Sequence, residues 1–317
     1  MKELLEKVTS QKVLVIGDLM LDRYIFGDAT RISPEAPVPV VDIDQQKYVA
    51  GGAANVALNL RSLGADVEIC GWLGTDQDGN TLYDLLNQSN IELDPRFQSA
   101  SIPTIVKTRV MVRNQQLCRL DQEAPPRGYE INQEDIQWIA EKSKEKDAVI
   151  LSDYGKGIMN SELIQAIQTS KSDKGPIIAM DPKPRRHIDH QCLDLITPNR
   201  SEALELARME IQPHDPFPAE EVCRRIYEKY QPRHLVITLG GEGMLLSQKG
   251  KIDFTMPTTA REVFDVSGAG DTVVATLSLM MACGAEIEEA ARIANLAAGI
   301  VVGKVGTATV SQEELLG

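Results

Sequence analysis

The protein is a chain of 317 residues with a formal net charge of −13 at pH 7, in which 25% of residues are charged and 43% are hydrophobic. These fractions are typical of a soluble globular protein, whereas a general nucleic-acid or membrane-surface binder would present a basic face. No apolar run approaches the roughly 20 residues of a membrane-spanning helix, and residues 1–11 are too polar for a signal peptide, so we expect a cytoplasmic protein.

Short apolar runs alternate with amphipathic stretches along most of the chain. The apolar runs predict strands at residues 12–17, 67–70, 147–151, 176–180, 193–196 and 235–239. Helical spacing predicts helices at residues 53–63, 79–86, 132–144, 161–170 and 219–230, and two more within 273–302, separated at Cys283-Gly284. This alternation is typical of an α/β fold with a mainly parallel sheet.

Two stretches interrupt the alternation, at about residues 19–45 and 104–120. Both are rich in Val and Ile and broken by turn-like segments, which predicts strands of a small separate sheet. Such a sheet leaves apolar faces and edges exposed. We therefore expect it to cover a site or to pair with a second subunit.

A glycine-rich segment, Gly268-Ala269-Gly270-Asp271, comes directly before the predicted helix at residue 273. The first turn of a helix carries unpaired N–H groups and partial positive charge, which suit a phosphate or a developing anion. An acid would be unexpected in a loop that only binds phosphate, because like charges repel. Its presence is explained if Asp271 accepts a proton from a nucleophilic hydroxyl while the N–H groups stabilise the transferring phosphoryl group. An ordinary helix cap with the same residues is the alternative.

Two segments near the N-terminus carry groups suited to sugar hydroxyls. Gly51 and Gly52 open a helix that carries Asn55 one turn later, and Asn can both donate and accept hydrogen bonds. Asp18 and Asp22 follow the first strand, where ligands bind in open α/β sheets. A glycine-rich helix start and two turn or surface acids would leave the same pattern.

A fourth segment follows the predicted strand at residues 193–196. Asn199 and Glu202 are spaced so that both could reach hydrated Mg²⁺ or a nucleotide phosphate. A capping box with Asn199 as N-cap and Glu202 three residues later gives the same letters. Neither a P-loop nor a G-x-G-x-x-G fingerprint after the first strand occurs, which disfavours a dinucleotide oxidoreductase.

The order and spacing of these four segments resemble the ribokinase-like (pfkB-type) carbohydrate kinases over essentially the whole chain. The resemblance implies a single kinase domain over residues 1–317, with a three-layer α/β core, a mainly parallel sheet and a small β-sheet lid. It implies ATP and Mg²⁺ as cofactors and leaves open whether a monovalent cation is also required. Asp271 would be the catalytic base, with Gly268, Ala269 and Gly270 as the anion hole. Other expected positions are the sugar-binding Asp18, Asp22, Gly51, Gly52 and Asn55, the nucleotide-binding Asn199, Arg200, Ser201, Glu202, Thr238, Gly240, Gly243 and Asn295, and the metal-binding Asn199 and Glu202.

Within this family, residues 17–24 and 31–40 are similar to the kinases of D-glycero-D-manno-heptose 7-phosphate. The resemblance implies phosphorylation of the anomeric C1 hydroxyl to the β-1,7-bisphosphate, on the route to ADP-heptose of lipopolysaccharide core. Some relatives carry a fused nucleotidyltransferase; because no His-x-Gly-His occurs, we expect kinase activity alone. The expected phosphate-binding cations are Lys107, Arg109, Arg113, Arg119 and Lys156.

Two alternatives remain at this point. The chain could act on another sugar or sugar phosphate, or it could be a non-catalytic sugar- or nucleotide-binding regulator on the same scaffold. The exposed lid strands predict a homodimer, in which no nucleic acid or membrane takes part.

Overall fold

The chain folds around a large and a small β-sheet in a computed structural model that describes residues 1–113, 115–172, 175–184, 188–212, 215–260, 262–304 and 306–317. Its strands are β1 (Lys12–Gly17), β2 (Leu19–Ile32), β3 (Pro39–Gly52), β4 (Asp66–Cys70), β5 (Leu73–Gly74), β6 (Glu92–Leu93), β7 (Gln98–Ser99), β8 (Ile105–Val112), β9 (Gln115–Gln122), β10 (Ala148–Ser152), β11 (Ile177–Asp181), β12 (Leu195–Ile196), β13 (His234–Thr238), β14 (Met244–Gln248) and β15 (Lys251–Met256). Its α-helices are α1 (Lys2–Lys7), α2 (Ala53–Ser62), α3 (Gln77–Gln88), α4 (Gln133–Ser143), α5 (Ser161–Ser170), α6 (Arg200–Leu206), α7 (Ala219–Tyr230), α8 (Ala269–Ala282), α9 (Ile287–Val301) and α10 (Gln312–Leu316).

The large sheet has the strand order β15-β14-β13-β12-β11-β10-β1-β4-β6. All neighbours from β6 to β13 pair in parallel, which confirms the predicted mainly parallel sheet. At the other edge, β14 and β15 form an antiparallel hairpin that the sequence analysis did not predict. β15 is half exposed, so it lacks the continuous apolar run that identified the central strands.

Helices cover both faces of this sheet. All five residues of β10 are buried, and because successive side chains of a strand point to opposite faces, each face must be covered. Helices α2, α8 and α9 pack together, with α8 against β10 and β11, while α4 and α5 form another packed pair. The predicted break at Cys283-Gly284 is confirmed, since α8 ends at Ala282 and Gly284 adopts a positive φ of 89°.

The small sheet has the order β3-β2-β8-β9 and forms the lid that the sequence predicted. β2 begins at Leu19, two residues after β1 ends, so the lid grows directly from the carboxyl edge of the large sheet. β3 continues to Gly52, further than predicted, and thereby joins the lid to the start of α2. Six large hydrophobic side chains of the lid region are exposed among the described residues, namely Ile32, Val38, Ile43, Tyr48, Leu117 and Leu120.

Across the described ranges, every helix is too short or too polar to cross a bilayer.

Candidate active site

The glycine loop forms the N-terminus of α8. Gly268 is the N-cap with a positive φ of 80°, and a Cβ there would lie 2.6 Å from the Asn55 amide nitrogen, so only glycine fits. Among the described residues, the backbone N–H groups of Gly270 and Asp271 have no hydrogen-bond acceptor. These two donors and the helix dipole make the loop suitable for an anion.

Asp271 lies in the first turn of α8, and its carboxylate is buried with 7% of the residue exposed. The amide of Asn55 on α2 donates to Oδ2 at 2.6 Å, and the hydroxyl of Tyr154 donates to Oδ1. Burial raises the pKa of Asp271 above its ordinary value, while these two hydrogen bonds oppose the rise by stabilising the charged form. The geometry is that of an oriented carboxylate that can accept a proton.

The two glycines before α2 bring Asn55 to this carboxylate. Gly52 is the N-cap of α2 with a φ of 59°, and a Cβ there would lie 2.5 Å from the Asp18 carbonyl oxygen. Asn59, one turn after Asn55, accepts a hydrogen bond at 2.9 Å from the hydroxyl of Thr272. This buried contact ties α2 to α8 and fixes the distance between Asn55 and Asp271.

Two clefts meet at the glycine loop. One, here called the lid-side cleft, has a volume of about 850 Å³ and lies under the lid, with Asp271 in its wall. The other has a volume of about 790 Å³ and lies between the β13–β14 connection and α9. Gly270 and Thr238 line both clefts, so the free N–H of Gly270 stands where they join.

The cleft under the lid contains two of the predicted cations. Lys107 and Arg109, two residues apart on β8, both line it, as do Asp22 and Gly52. Arg109 forms an ion pair with Asp22 at 2.5 Å. Burial lowers the pKa of Lys107, as do the nearby charges of Lys156, Arg119 and Arg109, whereas Asp22 opposes the shift.

The other three predicted cations do not line this cleft. Arg119 is half exposed and pairs with Asp121 at 2.8 Å, and the ammonium of Lys156 pairs with Glu123 at 2.6 Å. Arg113 lies after the last residue of β8 with a positive φ of 48° and is exposed, so it does not continue the strand face that carries Lys107 and Arg109. Arg119 and Lys156 lie near enough for their charges to lower the pKa of Lys107.

Two predicted sugar-binding residues also have other surroundings. Asp18 is buried, and its Oδ2 accepts the backbone N–H groups of Tyr154 and Lys156 at 2.9 and 3.0 Å, so it holds the loop after β10 and does not line the cleft. Gly51 allows close approach of Asp22, whose carboxylate oxygen would lie 2.5 Å from a Cβ at that position.

The second cleft has mainly apolar walls, formed by Val263, Val266, Val273, Ala298 and Val302 among others. It also contains the predicted nucleotide-binding residues Thr238, Gly240, Gly243 and Asn295. Gly243 has a φ of 96° and its absent Cβ would lie 2.0 Å from a carbonyl oxygen, so the turn requires glycine. Ala269 lines this cleft as well, on the side of the glycine loop.

Asn199 and Glu202 form the capping box at the start of α6, and both line the lid-side cleft. The free oxygen of the capping carboxylate is held by Lys183 at 2.7 Å. Arg200 pairs with Glu242, and the Ser201 hydroxyl donates to Asn199. Arg200 thereby links the start of α6 to the turn after β13, and Ser201 supports the N-cap of α6. Contrary to the prediction that both bind nucleotide, neither residue lines either of the two clefts.

Acidic groups gather near this capping box. Burial and the nearby charges of Glu202 and Asp271 raise the pKa of Asp181 well above its ordinary value. Among the described residues, no three carboxylate, histidine or cysteine side chains converge closely enough to hold a metal ion by themselves. Mutually repelling carboxylates nevertheless fit a hydrated Mg²⁺, which keeps several waters and takes only one or two protein ligands.

Comparison with known sequences adds the decisive observation, because residues 10–314 match the pfkB family of carbohydrate kinases. The chain belongs to that family. Over 316 residues it is 40% identical to the bifunctional protein HldE of Pelobacter propionicus, covering 99% of this chain and 64% of the relative. HldE of Helicobacter pylori strain J99 is 39% identical over 306 residues, covering 96% of this chain and 65% of the relative. The kinase therefore spans just under two thirds of these relatives.

Solved structures share the fold of this pfkB-family kinase. Arabidopsis thaliana ribokinase, in complex with ribose and ATP, has a TM-score of 0.75 at 20% identity, covering 96% of this chain and 97% of that one. Escherichia coli phosphofructokinase-2, in complex with potassium, has a TM-score of 0.73 at 20% identity, with 96% and 97% covered. The predicted ribokinase-like fold with a lid is confirmed.

Several residues without a predicted role also line the lid-side cleft of this kinase. They are Met20, Asp153, Tyr154, Asp181, Lys183, Thr197, Ser267 and Thr307. Asp153 and Tyr154 follow β10, Asp181 ends β11 and Lys183 follows it; β10 pairs in parallel with both β1 and β11, so the carboxyl ends of the three strands lie at one edge of the sheet. The rule that ligands lie beyond the carboxyl ends of parallel strands could have identified them.

Proposed function

We propose that this pfkB-family carbohydrate kinase phosphorylates D-glycero-D-manno-heptose 7-phosphate at its anomeric C1 hydroxyl, with ATP as donor and the β-1,7-bisphosphate as product. The observation that carries the proposal is the position of Asp271 and the Gly270 N–H where two clefts join. An acceptor in the cleft under the lid and a nucleotide in the other cleft, here called the nucleotide-side cleft, would meet where the Asp271 carboxylate stands beside two free N–H donors.

In this mechanism Asp271 accepts the proton of the sugar hydroxyl as its oxygen attacks the γ-phosphorus of ATP. The N–H groups of Gly270 and Asp271 stabilise the charge that spreads over the transferring group, and ADP leaves with the bridging oxygen. Asp22 and Asn55 orient the acceptor. The lid excludes water that would otherwise hydrolyse ATP.

Mg²⁺, when bound, neutralises charge on the nucleotide phosphates. Glu202 and Asn199, both in the cleft wall, would hold it through water molecules. Lys183, which pairs with Glu202, would face the same phosphates and keeps the Glu202 carboxylate oriented. The same enzyme assay, run with and without K⁺, tests the requirement for a monovalent cation.

The cations of the lid support a phosphorylated acceptor. Lys107 lines the cleft and, among the described residues, its ammonium has no carboxylate partner within ion-pair distance, although it lies 5.8 Å from the centre of the Tyr154 ring. A phosphate would gain a charge-assisted hydrogen bond from it. Arg109 could add a second contact by exchanging Asp22 for the phosphate.

A second candidate is a kinase of an unphosphorylated sugar. Its support is that Arg109, Arg119 and Lys156 are each paired with a carboxylate, which reduces the positive charge available to a second phosphate. The HldE relatives favour the first candidate, because the residues that resemble heptose 7-phosphate kinases lie within the aligned region.

The test is a panel of acceptors assayed by ADP release, comprising heptose 7-phosphate, the same heptose without its phosphate, fructose 1-phosphate, ribose and adenosine. We expect kcat/KM to be highest for heptose 7-phosphate. Equal or better use of the unphosphorylated heptose would support the second candidate. Absence of ADP release with every acceptor of the panel would instead favour a non-catalytic regulator.

We also propose a homodimer formed through the lid, in a cytoplasmic enzyme. The outer face of the lid has an apolar groove lined by Ile25, Val38, Pro39, Val41, Ile43, Val110, Leu117 and Cys118. Burial of this groove against a second copy would remove it from water. A monomeric mass in analytical ultracentrifugation at micromolar concentration would exclude this assembly.

A further inference from the structure

Three elements distant in the chain converge on the carboxylate of Asp271. Asn55 comes from α2 and Tyr154 from the loop after β10, and each donates to a different carboxylate oxygen. A carboxylate oxygen can accept two hydrogen bonds, so each oxygen keeps one acceptor position. The two donors fix the rotation of the carboxylate and leave one lone pair on each oxygen free to accept a hydrogen bond from the sugar hydroxyl.

The loop that carries Tyr154 is itself held rigidly. Asp18 accepts the N–H groups of Tyr154 and Lys156 at 2.9 and 3.0 Å, and Asp153 accepts the N–H of Gly155 at 2.8 Å. From the lid, the Lys107 ammonium lies 5.8 Å from the centre of the Tyr154 ring. The phenol is therefore positioned by the core on one side and by the lid on the other.

We infer that Tyr154 is a positioning residue that keeps the base Asp271 oriented and deprotonated for phosphoryl transfer. This inference rests on the proposed role of Asp271. During the reaction the acceptor proton passes to Asp271, the bond from the sugar oxygen to the γ-phosphorus forms, and the bond from that phosphorus to the β-phosphate oxygen breaks. Tyr154 keeps its own proton throughout and only donates its hydrogen bond.

The charges around Asp271 agree with this role. Burial, together with the charges of Asp271 and Asp181, raises the pKa of Tyr154 well above its ordinary value, so the phenol stays protonated and can only donate to the carboxylate. Facing Asp271 are also Asp22, which favours its protonated form, and Lys107, which favours the carboxylate. In the absence of Tyr154, burial and Asp22 would act against Asn55 and Lys107 alone.

The first experiment follows the titration of Asp271 without any substrate, by NMR of the full-length protein labelled with ¹³C at aspartate carboxyl carbons. Asp271→Asn identifies the signal. In the Tyr154→Phe variant we expect Asp271 to bind its proton at least about tenfold more tightly than in the wild type. The titration midpoint of Asp271 then moves to higher pH. Tyr129→Phe is the matched control, because that buried hydroxyl bonds to Ala124 and Pro103 and not to Asp271.

The second experiment measures kcat against pH with any acceptor that the wild-type enzyme uses. The acid limb should move to higher pH in Tyr154→Phe, whereas KM for ATP should stay unchanged because Tyr154 does not line the nucleotide-side cleft. If no acceptor is used, the proposed function fails, while the NMR titration still tests Tyr154. An unchanged Asp271 midpoint in Tyr154→Phe would overturn the inference.

A second substitution covers the case in which Tyr154→Phe does not fold. Incorporation of 3-fluorotyrosine at position 154 keeps the ring and the hydroxyl but makes the phenol a stronger donor. The Asp271 midpoint should then move to lower pH, opposite in sign to Tyr154→Phe. A midpoint that stays in place or rises would also overturn the inference.

Discussion

Replacement of the proposed base, Asp271→Asn, tests the mechanism most directly. A positioned general base contributes about 10²–10⁴-fold, so kcat should fall by that factor, equivalent to about 3–5 kcal/mol of transition-state stabilisation. The side-chain shape is preserved, and neither the apolar walls of the nucleotide-side cleft nor Lys107 and Arg109 change. The KM values for ATP and the sugar should therefore stay within a few-fold of wild type.

The same variant has a predictable effect on folding. Burial raises the Asp271 pKa, so the wild-type protein loses stability as pH rises from the ordinary carboxyl value of 3.8 through the raised one. Asn removes this cost of burying charge but loses one of the two hydrogen bonds from Tyr154 and Asn55. The two effects oppose each other, and the free energy of unfolding at pH 7 should stay within about 1 kcal/mol of wild type.

The assays are steady-state ADP release and urea unfolding, with Asp253→Asn as the matched control on exposed β15. The control should keep wild-type turnover. A kcat for Asp271→Asn within tenfold of wild type would refute the assignment of the base. Loss of turnover together with a large fall in stability would show that the carboxylate is needed for folding instead.

Three further predictions follow from single positions. Gly268→Ala should abolish most turnover, because alanine is strained at the positive φ of this position and its Cβ would collide with Asn55. The control Gly284→Ala has a similar φ of 89° but open space around it, so it should lose stability and keep kcat. Lys107→Met should raise KM for a phosphorylated sugar by about tenfold or more and leave KM for the unphosphorylated sugar unchanged. The control Lys47→Met, on the exposed part of β3, should change neither KM. An equal effect of Lys107→Met on both sugars would contradict the phosphate contact. Burial lowers the pKa of His190 to about 4 from 6.5, so its protonation favours the unfolded chain: the free energy of unfolding should fall by about 3 kcal/mol as pH drops from 6.5 to 4, and His190→Gln should remove that slope in urea unfolding.

Local patterns in the sequence were sufficient for most of the fold and for the residues at the centre of the candidate site. The buried strands β1 and β10 read as continuous apolar runs because both faces of a parallel sheet are covered. The segment Gly268–Asp271 could be recognised because a helix start, its glycines and its acid are neighbours in the chain. The same holds for the Gly51-Gly52 start of α2.

What the tertiary structure decided is which groups each side chain meets. Asp271 lies 216 residues from Asn55 and 117 from Tyr154, and no local periodicity encodes such contacts. Asp18 was expected in the cleft, yet its carboxylate faces the backbone of the Tyr154 loop. A sequence shows the type of charge at a position, whereas packing between distant elements determines whether that charge faces substrate, backbone or a counter-ion.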